Sequence, residues 1–124
     1  MQNSAFAEGA GPDSRHPFRT GAIVLVTLGN PRDKFWGTIL ALSLEGLSIS
    51  GIDLASFDDA VAMVKDGEPF SPGVVFFPMH RIERIELDLP EGEIPSIAQR
   101  FTAKTGLEAA PSLARHLARA EEPR

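Results

Sequence analysis

The chain has 124 residues, of which 43% are hydrophobic and 23% are charged, and its formal net charge is −5. This is the length of about one domain with the composition of an ordinary globular protein, and it has no general excess of Lys and Arg to hold a phosphate backbone. The absence of cysteine excludes disulfides, thiolate nucleophiles and cysteine-bound metals, and no apolar run reaches the roughly 18–20 residues of a membrane span.

The N-terminal stretch is rich in Gly, Ala, Ser and Pro and shows no periodic pattern. This composition predicts a disordered or loosely attached tail over residues 1–20. The stretch has no cationic start followed by an apolar segment, so we expect no secretory signal and predict a cytoplasmic protein.

Three strands joined by tight connections are predicted next. Ala22–Leu28 is apolar on both faces, and the Gly-Asn-Pro segment at 29–31 predicts the turn that ends it. The second strand, Phe35–Leu44, has Gly37 in its interior, which indicates a sharp bend or a bulge. The third strand, Leu47–Ile52, alternates apolar and serine side chains, which is typical of a strand buried on one face.

A short amphipathic helix and two more strands follow. Ser56 is placed to cap a helix over Phe57–Asp66, whose apolar residues recur at helical spacing. Val74–Met79 is a fully apolar fourth strand, which Pro78 ends or confines to a sheet edge. Ile82–Leu89 alternates apolar and charged residues, so we predict a half-exposed fifth strand.

The C-terminal part is predicted to be helical. Ser96 and Gln99 fit a capping box, in which each side chain satisfies the other residue's backbone N–H, and a helix is predicted over Ile97–Thr105. Gly106 is a typical residue for ending that helix. A last helix is predicted over Leu113–Ala120.

Five short strands, the second of them with an interior glycine, predict a mainly β fold. We expect a small, five-stranded, strongly bent barrel over residues 21–90. The helix at 57–66 is inserted between the third and fourth strands, and residues 91–124 form a helical C-terminal extension and tail.

Two parts of the chain resemble the sequence motifs of the Sm-like (LSm/Hfq-like) family. VLVTLGN (24–30), FWGTILAL (35–42) and LSISGID (47–53) are similar to the first motif, and VVFFPMHRIERIEL (74–87) is similar to the second. The resemblance covers roughly residues 21–90 and implies a small barrel of the Sm-like or SH3-like kind. It also implies RNA binding by subunit rings, because members of the family act in that form.

The resemblance places a His at a tight corner just before the last strand. A nucleic-acid site at this corner and at the first charged loop is therefore one hypothesis. Its residues are His80, Arg81, Arg84, Arg32, Lys34 and Trp36. The alternative is that His80 makes only local bonds, that the arginines are a solvated face, and that Trp36 belongs to a core or an interface. Glu83 and Glu86, interleaved with the arginines, count against an anion site.

The first, second and fourth strands are apolar on both faces, whereas a small barrel has only one inside. Their outer side chains need cover, because burying one Leu or Phe side chain stabilises by roughly 1.5–3 kcal/mol. The helix at 57–66, the helix at 97–105 or another subunit could supply this cover. The leading hypothesis is a non-enzymatic binding or assembly module that acts as a homo-oligomer, such as a ring. The alternative is an RNA-binding protein.

No pattern in the sequence indicates an enzyme. Asp53, Asp58 and Asp59 are close together, but their spacing does not match a calcium loop, and helix capping accounts for them better. The His residues at positions 16, 80 and 116 are scattered without zinc spacing. We therefore expect no metal, no cofactor and no catalytic residue, and we rank an enzyme assembled between subunits lowest.

Overall fold

Strands rich in branched and aromatic side chains, separated by tight turns, build one antiparallel sheet. The computed structural model describes residues 16–115. The strands in this range are β1 (Ile23–Leu28), β2 (Asp33–Leu42), β3 (Gly46–Asp53), β4 (Gly73–Pro78) and β5 (Ile82–Leu87). Their order in the sheet is β4-β3-β2-β1-β5, so β4 and β5 are the edge strands. The predicted mainly β class with five strands is confirmed.

Short helices follow the third and the fifth strands. The α-helices in residues 16–115 are α1 (Phe57–Lys65), α2 (Ile97–Thr105) and α3 (Ala109–Leu113), and 3-10 turns lie at Leu54–Ser56 and Met79–Arg81. The capping box of α2 is confirmed, since Gln99 N–H donates to Ser96 Oγ at 3.0 Å and Ser96 N–H donates to Gln99 Oε1 at 2.8 Å. None of the helices in this range is long and apolar enough to cross a membrane.

The first helix starts at Phe57 as predicted, but its predicted side-chain cap and the predicted start of the last helix are wrong. Ser56 gives α1 no side-chain cap, because it ends the 3-10 turn that runs directly into the helix. The last helix starts at Ala109 and ends at Leu113, where the sequence predicted its beginning. Pro111 fits this earlier start, because proline is tolerated in the first turn of a helix. The remainder of the predicted helix, residues 116–120, lies outside the described range.

The sheet buries apolar side chains on both of its faces. The inner cluster, on the face away from the helices, consists of Val24, Val26, Leu28, Phe35, Ile39, Leu47 and Ile49. The outer cluster, between the sheet and the helices, consists of Trp36, Phe57, Val61, Phe101, Ala109 and Leu113. Successive side chains of a strand point to opposite faces of the sheet, so the neighbours Phe35 and Trp36 belong to different clusters.

Helices of the same chain cover the outer face of the sheet. α1 contributes Phe57 and Val61, α2 contributes Phe101, and α3 contributes Leu113. The sequence left open whether the two predicted helices or another subunit supply this cover. The structure shows that both helices supply it, together with α3. The outer face of the central strands does not by itself require a second subunit.

Residues 18 and 20, at the end of the predicted N-terminal tail, contact the sheet. Phe18 packs against the inner cluster, and the Thr20 hydroxyl donates to the Leu40 carbonyl oxygen at 3.2 Å. These contacts attach the end of the predicted tail to β2. The tail prediction for residues 1–15 falls outside the described range.

β2 contains a bulge at Leu40, which has no paired residue in β3. A bulge inserts one extra residue, so the alternation of faces reverses beyond it. Ala41 therefore shares a face with its partner Ser48, and Leu42 shares one with Leu47. The irregularity predicted for this strand is present, but it lies beyond the interior glycine.

Candidate functional site

Three of the predicted nucleic-acid contacts come together at one place on the sheet. Thr27 of β1 lies opposite Lys34 of β2 on one side and opposite Arg84 of β5 on the other, so these side chains share a face. With Arg32 and Glu83 they line a cavity of about 260 Å³, which we call the cationic cavity. The strand pairing brings them together, because β1 pairs with both β2 and β5, which are far apart in the sequence.

Acidic side chains already face two of these cations. Arg32 Nη2 lies 3.8 Å from Glu83 Oε1, with the side chains 75% and 50% exposed, and Arg84 forms an ion pair with Glu86. Pairs this exposed contribute about 0–1 kcal/mol, so an incoming phosphate can replace them at little cost. In the part of the chain that the structure describes, no carboxylate forms an ion pair with Lys34.

The corner residues His80 and Arg81 differ in their surroundings. The Arg81 guanidinium donates from Nη1 to the carbonyl oxygens of Gly29 at 2.7 Å and Pro31 at 3.4 Å. The Gly29 N–H donates in turn to the Arg81 carbonyl oxygen at 2.9 Å. Arg81 thus ties the corner between β4 and β5 to the β1–β2 turn. His80 is exposed in the 3-10 turn and does not line the cationic cavity.

Trp36 does not belong to this surface, which corrects its predicted role as a base-stacking residue. Its side chain is fully buried. The ring centroids of Phe57 and Phe101 lie 5.7 and 5.9 Å from that of Trp36. The physical reason is the strand period, which turns Trp36 towards the helices, whereas a stacking platform needs an exposed ring.

Asp88 joins Trp36 to the start of α2. Its Oδ2 accepts from Trp36 Nε1 at 3.1 Å and from the Ala98 N–H at 2.8 Å, and its Oδ1 accepts from the Ile97 N–H at 2.8 Å. A carboxylate in this place satisfies helix N–H groups that have no partner within the helix. Sequence reasoning placed Asp88 on the polar face of the last strand and missed this role. The available signal was an acidic residue shortly before a helix start.

Apolar side chains remain exposed along the edge strand β4. Val74 is 39% exposed, and Phe76 is 52% exposed. The helical cover ends beside Val74, where the hydroxyl of its partner Ser50 donates to the Leu113 carbonyl oxygen of α3 at 2.7 Å. Phe76, the next residue of β4 on this face, lies further from the helices and is more exposed.

The apolar surface continues at the β2–β3 turn. Phe76 lies over Gly46, where an added Cβ would come within 2.7 Å of its ring. Leu44 in the turn is 94% exposed, and Met79 after β4 is 38% exposed. The Met79 N–H donates to the Glu45 carbonyl oxygen at 2.8 Å, which holds this turn beside the end of β4. We call Val74, Phe76, Leu44 and Met79 the β4 patch.

The signal for the β4 patch is present in the sequence. Successive residues of the fourth strand are apolar, so one of its faces has to point outwards. Sequence reasoning found this double-sided apolarity but named no residue of the strand as a site. It could not tell which strands the helices would cover, because that depends on contacts between distant parts of the chain.

Larger cavities, of about 430–470 Å³, lie among the helices and loops. The largest of these is bounded by α2, α3 and Ile23 of β1. None of the three brings together the residues predicted for nucleic-acid contact. Across residues 16–115, no group of three His, Asp or Glu side chains is arranged to hold a metal ion.

Comparison of the chain with family models, with curated proteins and with solved structures found no match. The cationic cavity and the β4 patch are the exposed features from which we infer a function.

Proposed function

We propose that the protein is a non-enzymatic binding and assembly module with an Sm-like small barrel, which acts as a homo-oligomer in the cytoplasm. The observation that carries this proposal is the β4 patch, an exposed apolar surface on an unpaired edge of the sheet. Edge strands present free N–H and C=O groups, and natural monomers usually protect them with charges, bulges or covering segments.

The connection between the edge strands supports a barrel. β4 and β5 lie at opposite edges of the sheet, yet only one 3-10 turn separates them in the chain. A flat sheet of this size would place its edge strands about 19 Å apart. The chain from Pro78 to Ile82 spans at most about 14 Å. We infer that the sheet curls until its two edges approach each other.

The chemistry of β4 favours association. Its sequence, GVVFFP, contains no charged residue, so pairing it with another chain desolvates no charge. Fully burying one exposed Val or Phe side chain stabilises by roughly 1.5–3 kcal/mol, and Val74 and Phe76, which are 39% and 52% exposed, would gain a corresponding part of this. Strand pairing would also satisfy the edge N–H and C=O groups that are otherwise left to water.

Sedimentation equilibrium of the purified chain tests this proposal. We expect a mass above the 13.4 kDa of the monomer at micromolar concentration. We also expect little change in the association constant with added salt, because the patch is apolar and salt screens only charge–charge interactions. A mass of 13.4 kDa at every concentration would contradict the proposal.

RNA binding is the second candidate, and the cationic cavity is the observation that favours it. Lys34, Arg84 and Arg32 converge on one cavity that Thr27 also lines. Cations of this kind bind phosphates of a single strand, and Ser or Thr hydroxyls commonly add a hydrogen bond. The Glu83 carboxylate in the same cavity limits the strength of such binding.

Titration with oligo-U and oligo-A RNA at two salt concentrations decides this second candidate. With three phosphate contacts, the logarithm of the association constant should fall by about 2 per tenfold rise in salt. The double variant Lys34→Gln/Arg84→Gln keeps one contact, so its slope should fall to about −0.7. Lys104→Gln, an exposed lysine of α2, is the matched control and should retain the full slope. Absence of binding at low salt would dismiss the candidate.

A further inference from the structure

The two edge strands of the sheet differ in their chemistry. β4 carries no charge, and its helix-side face exposes Val74 and Phe76. β5 has the sequence IERIEL, and its helix-side face carries Arg84 and Glu86 opposite Thr27 and Leu25 of β1. Charged residues on an edge oppose pairing with another strand. Of the two edges, β4 is therefore the one suited to pairing.

We propose that β4 pairs antiparallel with β4 of a second copy of this chain, about a twofold axis perpendicular to the sheet. This inference rests on the proposed homo-oligomer and names its interface. A twofold interface brings the same surface of both copies together, so an uncharged surface meets an uncharged surface. Val74 and Phe76 of one copy then lie beside Val74 and Phe76 of the other, on the same face of a continuous sheet.

Pairing β4 with β5 of a neighbour is less favourable. It would place the apolar Val74 and Phe76 beside the Arg84–Glu86 ion pair. The charged groups would lose water without gaining a new partner of opposite charge from β4. The same contact would crowd the cationic cavity, which Arg84 lines. Twofold pairing through β4 avoids both costs and leaves the cavity open.

The interface has a limited size. The six residues of β4 extend over about 20 Å. An interface of one strand pair with a few flanking side chains lies at the small end of specific interfaces, for which weak, reversible association is usual. We therefore expect a dimer that forms at micromolar concentration and dissociates on dilution.

Cysteine trapping tests the strand pairing, because the chain contains no cysteine of its own. The variants are Val74→Cys and Phe76→Cys, oxidised separately and as a mixture. Val74 and Phe76 of both copies have to lie on the same face of the continuous sheet. The registers that satisfy this pair residue 74 with residue 74 of the other copy, residue 76 with residue 76, or residue 74 with residue 76. We expect one of the three samples to form a disulfide-linked species of twice the 13.4 kDa monomer mass. Leu89→Cys, at a position 62% exposed beyond β5, is the control and should stay monomeric.

Sedimentation of charge variants gives a second measurement that does not depend on disulfide geometry. Phe76→Lys should abolish the dimer, because in each of these registers the lysine would bring an unpaired charge into an otherwise uncharged interface. Leu89→Lys should leave the dimer unchanged. Both positions are exposed, so neither change should unfold the chain.

The outcomes separate this inference from the proposed function. A wild-type dimer that is trapped through position 74 or 76 supports both. A wild-type oligomer that no cysteine pair traps, or that persists in Phe76→Lys, overturns the β4 pairing and leaves the homo-oligomer standing. A wild-type monomer at all concentrations overturns both.

Discussion

Replacing Phe101 with alanine is expected to lower the free energy of unfolding by about 3–5 kcal/mol, the usual cost of removing a buried aromatic side chain. Phe101 is 1% exposed. Its ring centroid lies 5.9 Å from that of Trp36, 6.5 Å from that of Phe57 and 6.3 Å from that of Phe70. It therefore joins α2 to the sheet, to α1 and to the loop before β4.

A loss of this size matters because small domains have only about 5–15 kcal/mol of total stability. Urea denaturation followed by tryptophan fluorescence measures it directly, since Trp36 is the single tryptophan of the chain and contacts Phe101. Lys104→Ala, an exposed change in the same helix, is the control and should alter stability by less than about 0.5 kcal/mol.

The same experiment tests where the cover of the outer cluster comes from. If the helices of the same chain supply it, the loss in Phe101→Ala is independent of protein concentration. A loss below about 1 kcal/mol would contradict the packing of Phe101 in the outer cluster, and a loss that disappears as the concentration rises would mean that association compensates for it.

The elements of this fold could be predicted where their signals are local. The Ser96–Gln99 capping box begins α2 and Gly106 ends it, and each signal lies within a few residues of the helix end that it determines. Both are as predicted. The bulge at Leu40 could not be placed in this way, because it depends on how β2 pairs with β3. The start of α3 was also missed, because a helix of one turn owes its position to Ser50 and the outer cluster.

The candidate site shows the same difference between local signals and contacts from distant parts of the chain. Arg32 and Lys34 were predicted from a charged turn, and Arg84 from a half-exposed strand, and all three line the cationic cavity. The buried position of Trp36 depends on Phe101 and Asp88, which lie far along the chain. The role of Arg81 likewise depends on the distant Gly29 carbonyl. The sequence alone shows which residues are charged and which faces are apolar. Which of these residues are exposed and able to bind a ligand depends on the folded structure.

The two candidate surfaces can be tested independently because they have no residue in common. The cationic cavity is built on β1, β2 and β5, and the β4 patch is built on the opposite edge. A change at Phe76 should therefore leave RNA titration unaltered in the monomer, and a change at Lys34 should leave the sedimentation behaviour unaltered. Coupling between the two would arise only through avidity, if two cavities of one dimer engage the same strand.

Gly51→Ala is expected to lower the free energy of unfolding by about 3 kcal/mol, the upper part of the range for overfilling a packed site. Gly37, Gly51 and Gly73 form a row across β2, β3 and β4. A Cβ on Gly51 would overlap the carbonyl oxygen of Trp36, and one on Gly37 would come within 2.9 Å of the Gly51 Cα. These clashes involve backbone, so β2 and β3 would have to separate.

Gly73→Ala is the matched control, because it is the same substitution in the same row of the sheet. The nearest atom to a Cβ on Gly73 is the Gly51 carbonyl oxygen at 3.9 Å, an ordinary contact distance. Its stability should stay the same or rise by up to about 1 kcal/mol, since alanine restricts the unfolded chain more than glycine does. Equal losses in the two variants would show that strand propensity governs this row, whereas a loss confined to Gly51 would show that the close backbone approach of β2 and β3 governs it.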